Sequence, residues 1–326
     1  MNGFTLKARL SIASIVLLLL ALSTTARAEK PVVVTTIAQI ADVVSHITGD
    51  KMEVSSLMGE GVDPHTYRMN RKDIAALTRA DIILYNGLYL EAQMEDALER
   101  MALNKPVVPL AEAIDQTLLL SSQSYENKHD PHVWMDVQKW MAVTRKALEV
   151  IIAFDPDNQT FYTENATSYL EQLERLNGYV SRVLASVPEN ERVVISAHDA
   201  FNYFGQAYDF EVIGIQGLST ASEAGLKKIE ELVALIVERK IKAVFVESSV
   251  ADRNVRALIE GAAARGHTVQ IGGTLFSDAM GPFGSYEGTY IGMLDHNATV
   301  ISRALGGDAT TSGMQQLLTL SQNTPN

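Results

Sequence analysis

The sequence of 326 residues contains no cysteine. That single absence excludes disulfide frameworks, thiolate metal sites and cysteine nucleophiles together. Basic residues are also scarce, 27 Lys plus Arg against 39 Asp plus Glu, for a net charge of −12 at pH 7. Such a surface cannot neutralise a run of phosphates, so nucleic acid is not an expected partner, whereas a cationic ligand is electrostatically permitted. A Gly-x-x-x-x-Gly-Lys-Ser/Thr phosphate loop is missing, so the chain is not expected to be a P-loop ATPase itself. Beyond the N-terminus no apolar run approaches the ~18 residues a membrane-spanning helix needs. What remains is globular: 47% of the residues are hydrophobic and 20% charged, which excludes disorder over most of the chain. At about 100 to 200 residues per domain, the length suggests two domains.

The N-terminus reads as a secretory signal. Lys7 and Arg9 precede an uncharged stretch over residues 10–22, and Ala26-Arg27-Ala28 supplies small residues at the two positions a signal peptidase reads. Cleavage is expected after Ala28. An uncleaved anchor is the alternative, but the apolar run of 13 residues is short for it. Residues 1–28 carry Lys7, Arg9 and Arg27 and no acid, so the mature chain has a charge of −12 − 3 = −15. Without a cysteine to be lipidated it is expected to be soluble in an exported compartment, for which a bacterial periplasm fits best.

Short Val/Ile-rich runs alternate with helical stretches through the mature chain. They fall at residues 31–36, 53–58, 81–85 and 106–109, and again at 192–197, 212–215, 243–247 and 268–271. Continuous apolar runs separated by helices predict parallel sheets covered on both faces. Between the two sets, after Asp155-Pro156-Asp157-Asn158, apolar residues stand at Tyr162, Ala166, Tyr169, Leu173, Leu176, Val180 and Val183. Alternating steps of four and three make one stripe down a helix from near Asn158 to near Val187, about 45 Å long. A coiled-coil dimer is the alternative, weakened by Gly178 and by the shortness of the repeat. The expected fold is therefore α/β, two lobes each with a four-stranded parallel sheet flanked by helices, joined by one long linking helix. The divisions are a signal peptide at 1–28, a first lobe at 29–157, the linking helix at 158–187, a second lobe at 188–306 and a polar tail at 307–326.

Seven histidines are the residues most able to carry chemistry. His65 and His132 each close an Asp-Pro-His tripeptide, Asp63-Pro64-His65 and Asp130-Pro131-His132. Proline fixes φ and aspartate can close a turn on its own backbone, so each tripeptide holds an imidazole at a defined place on a loop. His198 directly follows the run at 192–197, and Asp278 follows the run at 268–271 by a few residues. All four lie beyond the C-terminal ends of strands, where open α/β sheets place ligands. Three imidazoles and one carboxylate suit a four-coordinate divalent ion, zinc better than a harder cation. The competing reading has His198 capping a helix, His65 and His132 bonding within turns and Asp278 as an N-cap. Glu247, ending the run at 243–247, either holds an imidazole from behind or caps the next helix. His46 and His296 read as helix-surface residues, His267 as exposed, and His129 as a loop residue with transient metal capture as the alternative.

At these residues the sequence resembles the metal-specific solute-binding proteins of bacterial ABC importers for zinc and manganese, the TroA-like or cluster A-I family. The resemblance spans the mature chain. Besides the two Asp-Pro-His motifs, the second continuing as Val133-Trp134-Met135-Asp136, it includes Ser196-Ala197-His198-Asp199-Ala200-Phe201-Asn202-Tyr203-Phe204, Phe245-Val246-Glu247-Ser248-Ser249 and Leu275-Phe276-Ser277-Asp278. It implies two α/β lobes joined by a long helix with the ion between them. His65 and His132 would be ligands from the first lobe, His198 and Asp278 from the second. Relatives that carry manganese have Glu in place of His198, and zinc-selective relatives often have a His-rich insertion that residues 121–128 lack. The implied function is capture of a divalent cation, zinc favoured and manganese possible, for delivery to a membrane permease with a separate ATPase subunit. The protein is expected to be a monomer and not an enzyme. The alternatives are an exported zinc hydrolase, which needs an open water position that a fourth protein ligand would close, and a surface adhesin with a structural metal.

Overall fold

The computed structural model describes residues 29–122 and 127–315. The expected signal segment, 1–28, and the end of the expected polar tail, 316–326, lie outside the described residues.

The first half opens with β1 (Val32–Thr35), α1 (Ala38–Thr48), β2 (Glu53–Ser56), α2 (Arg71–Arg79), β3 (Ile82–Tyr85), α3 (Glu95–Ala102) and β4 (Val107–Pro109). All four strands are parallel, in the order β2-β1-β3-β4. The central strands β1 and β3 are nearly continuous Val and Ile because both of their faces are buried. Helix α4 (Val137–Phe154) then leads through a single 3₁₀ turn at Pro156–Asn158 into α5 (Gln159–Ala185). The second half runs β5 (Val193–Ser196), α6 (Asn202–Tyr208), β6 (Glu211–Gly214), α7 (Leu226–Arg239), β7 (Ala243–Glu247), α8 (Arg253–Ala264), β8 (Gln270–Leu275) and α9 (Tyr290–Ala304).

All eight expected strands are present, with two differences in the second half. Its strands are hydrogen-bonded in two parallel pairs, β5 with β6 and β7 with β8, and β5 packs beside β7 without a continuous ladder. Strand β8 also runs on to Leu275, beyond the expected end at residue 271. Gly272-Gly273 reads as a break, yet here the glycines keep the strand going. A Cβ at Gly272 would stand 2.6 Å from the Phe245 ring, and one at Gly273, with φ +154°, would stand 2.5 Å from Val300. The register shift between Val244 and Phe245 takes up the irregularity.

Helix α5 has 27 residues, about 40 Å at 1.5 Å per residue. Every residue of the expected stripe, from Tyr162 to Val183, is buried, and Tyr179 and Leu184 widen it. Its first turns pack on α1 and α4 and its last on α9. Polar side chains pin it at both ends. Tyr169 Oη donates to Asp42 Oδ2 at 3.0 Å and Asn165 Nδ2 to Ile47 O at 3.1 Å, while Ser302 Oγ of α9 donates to Val183 O at 2.9 Å. The larger apolar core extends from β1 and β3 through α5 to Met293, Leu294, Ala298 and Ile301 of α9, so one packed interior joins the halves. A smaller core lies under α7 and α8. The stripe is thus an intramolecular seam rather than a coiled-coil face. Among the described residues no helix is long and apolar enough to cross a membrane.

Candidate metal centre

Each Asp-Pro-His tripeptide folds as its residues dictate. His65 N donates to Asp63 Oδ1 at 2.8 Å and His132 N to Asp130 Oδ1 at 2.9 Å, so the two motifs make the same aspartate-closed turn. The second aspartate does more. Asp130 Oδ1 also stands 2.7 Å from His132 Nδ1, a contact that the spacing alone does not announce. His198 leaves β5 immediately after Ala197 and is held from β7, since Glu247 accepts from His198 N at 2.8 Å through Oε1 and pairs with Nδ1 at 2.5 Å through Oε2. A carboxylate on Nδ1 leaves Nε2 to face the centre with its lone pair once the imidazole is neutral.

Four side chains converge there. His65, His132, His198 and Asp278 each offer a ligand atom, all within 4.8 Å of one another, and all four are buried. The Nε2 atoms of His65 and His132 are 3.2 Å apart, and those of His132 and His198 stand 3.4 and 3.3 Å from the Asp278 carboxylate. His65 Nε2 is 3.8 Å from the same group. Both Asp278 oxygens and His198 Nε2 are buried without a hydrogen-bond partner. A buried carboxylate in that condition opposes folding unless a cation satisfies it. Neither the capping alternative for His198 nor the N-cap alternative for Asp278 describes this geometry.

The charges follow from the same contacts. Burial disfavours a charged His132, but Asp130 and Asp278 outweigh it and push the pKa up to about 9. His198 is likewise driven well above 6.5 by Glu247 and Asp278 against its burial. His65 moves the other way, to about 4, because burial and its two imidazole neighbours outweigh the pull of Asp278. Asp278 is held well below the usual carboxylate range, the three imidazoles overcoming burial. In the absence of an ion, protons on His132 and His198 supply the positive charge that the carboxylates demand.

The remaining histidines lie elsewhere. His46 is a surface residue of α1, stacked on Tyr169, and His296 of α9 bonds Thr274 O at 2.9 Å through Nε2. His267 is half-buried rather than exposed, its Nε2 2.7 Å from Ile241 O. His129 is not among the four, but it lines a crevice of about 10 Å³ with His65, which at 8% is the least deeply buried of them.

Residues 33–304 match the family of the periplasmic zinc-uptake complex component A, ZnuA. The chain belongs to this family. Among its relatives, the zinc-binding protein TroA of Treponema pallidum is 46% identical over 276 residues, 85% of this chain and 89% of that one. The manganese-binding lipoprotein MntA of Bacillus subtilis is 44% identical over 273 residues, 84% of this chain and 89% of its own length. The solved structure of the periplasmic zinc-binding protein TroA superimposes with a TM-score of 0.83, covering 85% of this chain and 99% of that one.

Proposed function

We propose that this protein is the solute-binding component of a divalent-metal ABC importer, and that His65, His132, His198 and Asp278 hold the transported ion. The observation that carries the reading is the buried Asp278 carboxylate, unbonded at both oxygens, facing three imidazole Nε2 atoms. Relatives named for zinc and for manganese match almost equally well. The donor set favours zinc, because three nitrogens suit a borderline-soft ion better than manganese. Four protein ligands leave no open position for an attacking water, which argues against hydrolysis. Delivery would be to a membrane permease powered by a separate ATPase chain, by a monomer freed from its leader after Ala28. Its two lobes, 29–157 and 188–306, would grip the ion from either side of the linking helix at 158–187. Calorimetry on chelator-stripped protein with Zn²⁺ and Mn²⁺ should give one ion per chain, and Asp278→Ala should abolish tight binding. Two tight sites, or an Asp278→Ala variant that binds like the parent, would refute the ligand set.

A further inference from the structure

We propose that Gln39 is a positioning residue for the metal centre: from the first half of the chain, its amide fixes the backbone that carries the Asp278 carboxylate. The proposal rests on the metal-binding reading above.

Gln39 lies on α1 and is fully buried. Its Nε2 donates to the carbonyl oxygen of Asp278 at 2.9 Å, across 239 residues of sequence. Two neighbouring carbonyls are held in the same way. Trp134 Nε1 donates to Ser277 O at 2.8 Å, and Ser248 Oγ to Ala279 O at 3.1 Å. Three successive backbone oxygens therefore each accept from a side chain of a different part of the chain. The Asp278 carboxylate itself accepts no hydrogen bond, so beyond its attraction to the imidazoles its place is set by the hydrogen bonds that fix the backbone carrying it. Gln39 holds the central one of the three carbonyls.

The other end of the Gln39 amide shows that packing does not explain the residue. Oε1 is buried without a hydrogen-bond partner. A leucine or methionine would fill the same volume and remove the stranded Oε1, but would orphan the Asp278 carbonyl in its place, so packing alone does not select the amide. What it supplies that those residues lack is the donor to Asp278. Without that donor a buried carbonyl is orphaned, the peptide turns to find another partner, and the carboxylate shifts with it. Supporting groups of this kind commonly set metal affinity as strongly as some ligands do.

The test is Gln39→Leu, with Gln39→Met as a second packing-compatible variant, in the parent and in an Asp278→Asn background. Divalent cobalt is the spectroscopic probe, and zinc affinity is read by chelator competition. The expected result is a loss of roughly tenfold in the parent background, less than twofold in the Asp278→Asn background, and an altered visible cobalt spectrum. The thermal midpoint of the metal-free protein should change little, because the variant exchanges one stranded acceptor, Gln39 Oε1, for another, Asp278 O. An equal loss in both backgrounds, or parent-like affinity with a parent-like cobalt spectrum, would overturn the proposal while leaving the ligand assignment intact. A parent protein that takes up neither cobalt nor zinc would overturn the metal-binding reading and this proposal with it.

Discussion

Metal uptake by this centre should be a proton exchange whose slope is set by the two carboxylates standing behind the imidazoles. At neutral pH and without an ion, His132 is protonated, with a pKa of about 9, and His198 is protonated as well, its pKa well above 6.5. His65, at about 4, is already neutral, and Asp278 is already ionised. A cation must therefore displace protons from His132 and His198, and the logarithm of the apparent binding constant should rise by about two for each pH unit near neutrality. That is ~100-fold per unit, or ~3 kcal/mol. Three imidazoles at their ordinary pKa near ~6.5 would behave differently, with a slope that approaches three in acid and falls to zero above about pH 7.5. The contrast lies on the alkaline side. Competition against a chelator of known protonation behaviour measures the slope, and calorimetry at pH 7.5 in two buffers of different ionisation enthalpy counts the released protons directly. A slope near zero between pH 7 and 8, or fewer than one proton released per ion, would refute the assignment of Asp130 and Glu247 as groups that keep these imidazoles charged.

The same shifts act on folding. A raised folded-state pKa at His132 contributes stability that is fully present below about pH 6.5 and is lost as pH rises toward 9, so denaturant unfolding of metal-free protein should show a decline across that window that His132→Gln reduces, His198 supplying the remainder. Glu247→Gln keeps an acceptor near His198 but removes its charge, and zinc affinity by chelator competition should fall by about 10- to 100-fold. His198→Glu should lower the ratio of zinc to manganese affinity by about tenfold, ~1.4 kcal/mol, but it sets a second carboxylate beside Glu247, so the ratio is best read in a His198→Glu, Glu247→Gln protein that relieves the repulsion. Because α5 is pinned to both halves, small-angle scattering of stripped and loaded protein should be nearly superimposable, and a compaction of several ångströms would contradict the rigid seam.

The four converging side chains were legible in the sequence because each is fixed by local chemistry. A proline and an aspartate next to a histidine define a turn within three residues, and the structure shows that turn twice. His198 and Asp278 were legible for a related reason, since a residue just past the end of a buried strand in an open α/β sheet has few places to go. The α5 stripe was readable because its period is a property of the helix itself. Glu247 sat at the boundary of legibility. Its place at a strand end suggested either a cap or an imidazole partner, and only the packing of β5 beside β7 selects the second.

What escaped the sequence depends on contacts between elements far apart in the chain. The span of β8 turns on whether Gly272-Gly273 ends a strand or lets one pass close to Phe245 and Val300, and both neighbours must be known to decide. The charge state of the site escapes the sequence for the same kind of reason. Asp130 was visible as a turn residue, but its second contact, to His132 Nδ1, moves the imidazole up to about 9, and one residue type cannot reveal two simultaneous roles. Gln39 left no trace at all: a glutamine on the buried face of an amphipathic helix is, by pattern, an imperfection. It becomes intelligible only when its donor is found on Asp278 O and its acceptor is found stranded, which places the carboxylate's geometry under the control of a helix 239 residues away.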